Sequence, residues 1–379
     1  MRTLRQSAVG AVVAVIGIVG CRSDATTSPR AARPIPLATN ASLLPLDVLG
    51  ASHVPPGQAC RSAGYHQFDF WLGNWDVHTA TGALGGTNVV KSRLDGCVVE
   101  ENWTGAGLGH GRSLNFYDAS TGTWSQMWVS SGGCPTGVII IEGTFANGSM
   151  TMTGRKEQPE GFVLGPPCAP PPPVVSFVRT NLIRWTRIDG GAVLQEFSAS
   201  NNGDPLPPLG PPSVLNGYRY DPVATVTPLD PPDPSFCPNR AAAHQFDFMI
   251  GTWRVHEGNG SGAQGTAVFS ADLQHCLIEE DFAGPGNYEG LSFNTFDVYT
   301  QMWHRTYVDT DGERLLLAGG ISDGSMALTG TRLAAGGQQV TVRVTWRPDS
   351  ADRVVQRWEL SRDGGVQWST AKELIYTRA

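Results

Sequence analysis

The strongest constraint in this sequence is a long internal repeat. Residues 66–78 have the sequence HQFDFWLGNWDVH, and residues 244–256 have the sequence HQFDFMIGTWRVH, 178 positions later. Further matches follow in the same order: LDGCVVEE at 94–101 with LQHCLIEE at 273–280, and GSMTMTG at 148–154 with GSMALTG at 324–330. The period is far above 50 residues, so it indicates a duplicated domain and not a solenoid. Each copy is long enough to close its own hydrophobic core.

The spacing of the matches predicts the domain boundaries. We expect the first domain at 58–220 and the second at 237–379. The segment 221–236 contains five prolines and is predicted to be a semi-rigid linker. The first copy carries about 15 extra residues within 155–178, including a run of prolines, which we expect to form a surface loop.

The N-terminus has the pattern of an export signal. Two arginines precede an apolar stretch of 13 residues at 8–20, shorter than the roughly 20 that a membrane-spanning helix needs. The stretch ends in Ile18-Val19-Gly20-Cys21, which resembles the bacterial lipobox. That resemblance implies a signal peptide at 1–20 and a lipid anchor on Cys21 in the bacterial cell envelope, at the outer membrane or its periplasmic face. A secretory signal with an unmodified cysteine is the alternative. Residues 21–57 are predicted to be a disordered tether.

Each copy has the pattern of an antiparallel all-β domain. Short runs rich in Val, Ile, Trp, Tyr and Thr alternate with Gly, Asn and Asp turns at about ten-residue spacing, as in sandwiches and barrels. The clearest predicted strands are 87–94, 97–103, 113–117, 124–129 and 137–142 in the first copy, and 339–346, 354–361 and 371–377 in the second.

Two short motifs connect this pattern to a known superfamily. Gly73-Asn74-Trp75 and Gly251-Thr252-Trp253 each follow a short aromatic turn and resemble the Gly-x-Trp opening of lipocalin-like (calycin) barrels. With the later Cys, Glu and Gln-x-Trp pattern, the FDFWLGNW opening resembles uncharacterised secreted bacterial proteins of that superfamily. The resemblance implies two tandem antiparallel lipocalin-like β-barrels. It also implies that an arginine near the last strand stacks on each tryptophan, and it assigns this role to Arg219 on Trp75 and Arg378 on Trp253.

Composition and motifs exclude several classes of function. The net charge is −7 and no basic run occurs, which argues against a nucleic-acid binder. Signatures of nucleophilic hydrolases, zinc proteases and phosphate-binding loops do not occur in the sequence. We therefore assign no catalytic residue, metal or cofactor, favour a non-enzymatic protein, and identify no protein partner. His66 and His244 are predicted to cap the turn that opens each repeat.

Strand alternation collects polar side chains on one face of each copy, because successive side chains point to opposite sides of a strand. The Gln126-Met127-Trp128 triplet is aligned with Gln301-Met302-Trp303. The candidate ligand-binding residues are then Glu101, Ser113, Asn115, Gln126 and Trp128, with Glu280, Ser292, Asn294, Gln301 and Trp303 as their counterparts. The opposite face, which carries Leu94 and Val98, is apolar as well.

Three functions remain open for these residues. Polar groups inside a barrel need partners, which they find in one another or in the polar end of a ligand. We expect binding of a small, partly apolar molecule in one or both barrels. The alternatives are a structural or interaction module with filled barrels, and an acid/base enzyme that uses Glu101 or Glu280.

The cysteines supply a prediction that can be tested chemically. Six remain apart from Cys21, and export favours disulfides. The repeat predicts Cys60–Cys97 and Cys237–Cys276, and it leaves Cys134 to pair with Cys168. Mass spectrometry of non-reduced peptides should recover these three links, and any other connectivity would contradict the alignment of the repeats.

Overall fold

The computed structural model describes residues 59–107, 109–131, 138–159, 176–209, 216–229, 241–258, 263–298, 300–333 and 339–379. The signal peptide at 1–20, the tether at 21–57 and the lipidation site Cys21 lie outside these residues. So do Cys134, Cys168 and Cys237. Within the described ranges, no helix is long and apolar enough to span a membrane.

The strands of the first copy are β1 (Gly73–Thr79), β2 (Leu84–Arg93), β3 (Val98–Gly105), β4 (His110–Asp118), β5 (Thr123–Ser130), β6 (Ile139–Ala146), β7 (Ser149–Pro159), β8 (Ser176–Arg187), β9 (Val193–Asn201) and β10 (Gly217–Pro222). Those of the second are β11 (Gly251–Glu257), β12 (Ala263–Asp272), β13 (Leu277–Ala283), β14 (Glu289–Asp297), β15 (Met302–Asp309), β16 (Arg314–Ser322), β17 (Ser325–Leu333), β18 (Gln339–Ser350), β19 (Arg353–Ser361) and β20 (Ser369–Arg378). Short 3-10 helices lie at Ala63–His66, Asp69–Trp71, Leu94–Gly96, Asp189–Gly191, Ala241–His244, Asp247–Met249, Leu273–His275 and Pro285–Asn287.

In the described part of the chain, these strands form two closed antiparallel barrels of ten strands each. Consecutive strands are neighbours, and β1 pairs with β10 as β11 pairs with β20 to close each barrel. The predicted all-β class and tandem barrels are therefore confirmed. Barrel diameter grows with strand number, so a ten-stranded interior is wider than the eight-stranded one of lipocalins.

One end of each barrel is closed by aromatic side chains from the opening segment, and we call these side chains, with the tryptophans they pack on, the aromatic plug. In the first barrel Phe68 and Trp71 pack beside Trp185, with the rings of Phe68 and Trp185 5.4 Å apart. The Trp75 indole is buried beneath them and donates a hydrogen bond to the carbonyl of Trp71. The Trp253 indole donates in the same way to the carbonyl of Met249. The repeated Gly-x-Trp motif thus joins the opening segment to the first strand of each barrel.

The predicted arginine clamp is present in the second barrel and not in the first. The Arg378 guanidinium lies 4.2 Å from the centre of the Trp253 ring and donates to the carbonyl of Ile250 at 2.9 Å. Arg219 is instead exposed and pairs with Asp221. The prediction for Arg219 is wrong because its neighbour Tyr220 points inward, and alternation turns Arg219 to the outside. Pro222 pairs with Trp75 where Arg378 pairs with Trp253.

The two barrels pack against each other through the outer faces of β3–β5 and β13–β15. Buried apolar side chains from both copies form one cluster there. Its members include residues at equivalent positions of the two copies, namely Val98 and Leu277, Leu114 and Phe293, and Val129 and Val308. At its edge, Arg112 contacts Glu100 of its own barrel and Glu279 of the other, the latter at 3.0 Å. Like strands of the two copies therefore meet as they would in an isologous dimer interface.

Three further sequence predictions can be compared with the structure: the disulfides, the insertion and the end of the first domain. The Cys60–Cys97 disulfide is present, and Cys276 is also disulfide-bonded. The predicted insertion at 155–178 is only partly a loop, because β7 and β8 extend into it until Pro159 pairs with Ser176. The first barrel also continues past Tyr220, since β10 ends at Pro222.

Arg378 and Arg219 allow a matched test of whether stacking on the tryptophan of the plug stabilises the barrel. We expect Arg378→Ala to lower the free energy of unfolding by about 2 kcal/mol, because it removes a cation–π contact and charge-assisted hydrogen bonds. Arg219→Ala should cost less than about 0.5 kcal/mol, as is usual for an exposed ion pair. Urea unfolding followed by tryptophan fluorescence measures both, and equal effects would contradict the assignment.

Candidate functional site

At mid-height, the first barrel contains a polar layer centred on Glu101. The carboxyl accepts hydrogen bonds from Asn88 Nδ2 and from the Ser113 hydroxyl, both at 2.7 Å. Asn115 donates to the Ser113 hydroxyl and accepts from Gln126 Nε2 at 2.7 Å. All five side chains belong to buried residues on adjacent strands β2–β5, where alternation directs them inward.

The second barrel fills the equivalent layer with an ion pair. Glu280 accepts from Arg305 Nη2 at 2.6 Å and from the Ser292 hydroxyl at 2.9 Å. The same guanidinium donates to Asn294 and lies 5.1 Å from the centre of the Trp346 ring. Strand pairing makes Arg305 the counterpart of Gln126, because each pairs with the equivalent asparagine. A buried arginine therefore neutralises this glutamate.

The two glutamates consequently differ in electrostatic environment. Complete burial raises the pKa of Glu101 from 4.5 to about 7, and the hydrogen bonds from Ser113 and Asn88 only partly oppose that shift. Among the described residues, no cationic side chain contributes to the pKa of Glu101. A buried acceptor lies beside it, because Asn88 Oδ1 has no hydrogen-bond partner within the described ranges. In the second barrel this asparagine is replaced by Ala267, which pairs with Phe282 as Asn88 pairs with Trp103.

Above the polar layer, the first barrel carries partly exposed aromatic side chains. Trp103 and Tyr218 have ring centres 5.6 Å apart, and Phe197 meets Tyr218 edge-on at 5.8 Å. Trp128 lies so close to Gly111 that a Cβ there would come within 2.2 Å of the indole. All four aromatic residues are partly accessible. They form an apolar group on the side of the polar layer away from the end closed by Trp124, and we call this group the aromatic rim.

In the second barrel, most side chains at the positions of the aromatic rim are buried. Tyr307, Trp358 and Leu374 occupy the positions of Trp128, Phe197 and Tyr218, and all three are buried. The Tyr307 hydroxyl is hydrogen-bonded to the hydroxyl of Tyr288 at 2.6 Å, and Tyr288 packs on Phe282. Only Phe282, the counterpart of Trp103, is partly accessible. The duplicated barrels therefore differ at two successive levels.

Two of the ten candidate ligand-binding residues are misplaced by the sequence alignment. Gln301 lies in the turn before β15, with an exposed side chain that donates to the carbonyl of Val298. Trp303 belongs to the aromatic plug, where it contacts Phe246 and donates to Gln245 as Trp124 donates to Gln67. The match of Gln126-Met127-Trp128 to Gln301-Met302-Trp303 is wrong because it shifts the register by four residues. The structural counterparts are Arg305, Thr306 and Tyr307.

The structure brings the other candidates together. Glu101, Ser113, Asn115 and Gln126 form one layer with Trp128 above it, and Glu280, Ser292 and Asn294 form the matching layer. Sequence reasoning missed Asn88 and Arg305. The offset between copies is 179 residues from Cys97 through Asn115, and keeping that offset would have identified Arg305.

Comparisons with known proteins add little. No protein-family model matches the chain, and no curated protein matches it. Among solved structures, the chain is similar to a protein of unknown function from the DUF3598 family of Nostoc punctiforme. The identity is 13%, the match covers 84% of this chain and 100% of the other, and the TM-score is 0.22. A similarity at that TM-score supports no conclusion about function.

The two polar layers balance the glutamate charge differently. Replacing the glutamate with glutamine should therefore have opposite effects on stability in the two barrels. Well below pH 4.5 the Glu101 carboxyl is neutral in both the folded and the unfolded chain, so it causes no loss of stability. As the pH rises to about 7, the unfolded chain loses this proton first. Stability should therefore fall, by about 3 kcal/mol at pH 8 for a shift to a pKa of about 7. We expect the Glu101→Gln variant to lack this pH-dependent fall in stability.

The matched variant Glu280→Gln should behave differently. It leaves the Arg305 guanidinium buried without its counter-ion, and we expect it to lower stability by about 3–5 kcal/mol. Unfolding free energies at pH 5 and pH 8 measure both effects. Glu279 at the barrel interface also has a pKa raised to about 7 by burial. The difference between wild type and Glu101→Gln is therefore the relevant quantity, and parallel pH profiles would contradict the prediction.

Proposed function

We propose that this chain is a binding protein that holds a small, partly apolar molecule in its first barrel. The observation that carries the proposal is Glu101, which is buried without a cationic partner among the described residues and sits below an accessible aromatic rim. Ligand sites commonly combine apolar walls with a few convergent polar groups. The ligand's polar end would donate a hydrogen bond to Glu101 or to Asn88 Oδ1, and its apolar part would contact the rim.

The second barrel is proposed to have a structural role. Arg305 satisfies Glu280, Ser292 and Asn294 together, and the level above them is buried. This arrangement supports the filled-barrel hypothesis for the second copy only. Its outer face would then serve mainly to support the first barrel across their shared apolar cluster.

We also propose that the protein is exported and anchored through a lipid on Cys21. The support is the lipobox-like segment at the end of the apolar stretch. The Cys60–Cys97 disulfide agrees with an oxidising compartment outside the cytoplasm. Binding would then take place close to a membrane.

An acid/base enzyme centred on Glu101 is the second candidate. The raised pKa of about 7 favours it, because a general acid or base works best when its pKa lies near the working pH. The ion pair with Arg305 leaves Glu280 unsuited to that role. Glu101→Gln separates the two functions, because glutamine removes a catalytic carboxyl while it keeps the size of the side chain and a hydrogen-bond acceptor.

Native mass spectrometry of the full-length chain, exported and purified in detergent, tests the binding function. We expect a small-molecule adduct that is lost under denaturing conditions. Trp103→Ala should weaken its retention at least about tenfold, equivalent to about 1.4 kcal/mol, because it removes part of the aromatic rim. The equivalent Phe282→Ala in the second barrel is the matched control and should leave the adduct unchanged. Equal loss in both variants, or an unchanged adduct in Trp103→Ala, would contradict the assignment to the first barrel.

A further inference from the structure

Three potential metal ligands converge at the plug end of the second barrel. His244 ends one 3-10 helix, Asp247 begins the next, and His275 ends the helix that precedes β13. The Asp247 carboxylate is 2.6 Å from His244 Nδ1 and 4.0 Å from His275 Nδ1. One ligand atom from each residue lies within 4.8 Å of the other two. Only small side-chain movements would bring all three atoms onto a single ion.

Two of the polar atoms in this group are buried and unsatisfied. Asp247 Oδ1 and His275 Nδ1 have no hydrogen-bond partner within the described ranges. Buried polar atoms are nearly always paired, so these two atoms call for a partner other than the residues that the structure describes. The side chains as a whole are about one-third exposed, at 31% for Asp247 and 38% for His275. An ion from solution could therefore reach them.

The first barrel contains the same arrangement without its third ligand. His66 pairs with Asp69 at 2.8 Å as His244 pairs with Asp247 at 2.6 Å. The position of His275 is occupied by Gly96, which has a φ of +95°. His275 itself has a φ of +67°, in the left-handed region that favours glycine. The second copy thus carries an imidazole where the backbone alone would favour glycine.

We propose that His244, Asp247 and His275 bind one divalent transition-metal ion of the zinc class. Imidazole nitrogen and carboxylate oxygen are ligands that Zn²⁺ accepts, and three protein ligands leave a fourth position for water or another group. The ion would join the opening segment to the Leu273–His275 turn, next to the disulfide-bonded Cys276. The proposal is independent of ligand binding in the first barrel and replaces the sequence-based expectation that the chain has no metal site.

Titration of the chelator-treated, full-length chain tests the site. Co²⁺ serves as the spectroscopic probe, and Zn²⁺ is added as the competitor. We expect one Co²⁺ per chain, with visible absorption bands that Zn²⁺ abolishes. His275→Gly should weaken binding at least about a hundredfold, because loss of a direct ligand exceeds the 10–100-fold cost of losing a supporting residue. This variant should fold, since glycine suits the positive φ at position 275.

His66→Ala is the matched control in the first barrel, and it should leave the affinity unchanged. Circular dichroism of both metal-free variants checks that the fold is intact. The proposal is overturned if the wild type binds no Co²⁺ at about 0.1 mM free metal, a Kd too weak for a built site. It is equally overturned if His275→Gly binds as tightly as the wild type.

Discussion

Each barrel directs a buried glutamate carboxyl into its interior, Glu101 in the first and Glu280 in the second, and the character of each interior depends on how that charge is balanced. An unpartnered carboxylate in such a place is costly, so it must either keep its proton or gain a counter-ion. Burial raises the pKa of Glu101 to about 7, and the carboxyl accepts hydrogen bonds only from the neutral side chains of Asn88 and Ser113 among the described residues. Glu280 is paired with Arg305. The first solution leaves hydrogen-bonding capacity for a ligand, whereas the second uses that capacity within the protein.

The strands that carry these glutamates are buried on both faces. Their inner faces form the polar layers, and their outer faces form the apolar cluster between the two barrels. This explains why Val98, on the side of β3 opposite Glu101, is apolar and buried, which alternation alone could not interpret. Duplication allowed equivalent surfaces to cover each other, and Arg112 balances the acidic residues Glu100 and Glu279 that this symmetry brings together. The barrels could then diverge inside while keeping a common outer surface.

Much of the fold could be predicted because its signals are local. The repeat, the period of two along the strands and the Gly-x-Trp turns identified the tandem barrels and the inward position of Glu101. One error arose because a match of three identical residues was preferred to the constant offset between the copies, which misplaced Gln301. The other arose because strand alternation was not applied to Arg219. The counter-ion role of Arg305 and the convergence of His275 with Asp247 depend on packing between distant segments. Keeping the 179-residue offset would have placed Arg305 beside Asn294, but no local pattern in either copy indicates its pairing with Glu280 or the approach of His275 to Asp247.

The claim on which this account depends most is that burial raises the pKa of Glu101 to about 7 in the first barrel, where no cationic side chain among the described residues offsets it. The direct measurement is an NMR titration of a chain labelled with ¹³C at the glutamate side-chain carboxyls. It should contain a signal that titrates near pH 7 and is missing from Glu101→Gln, with the other glutamate signals unchanged. If every signal near pH 7 persists in that variant, or if the Glu101 signal titrates near 4.5, the first barrel does not hold a neutral carboxyl. The proposed division between a binding barrel and a filled barrel would then be wrong.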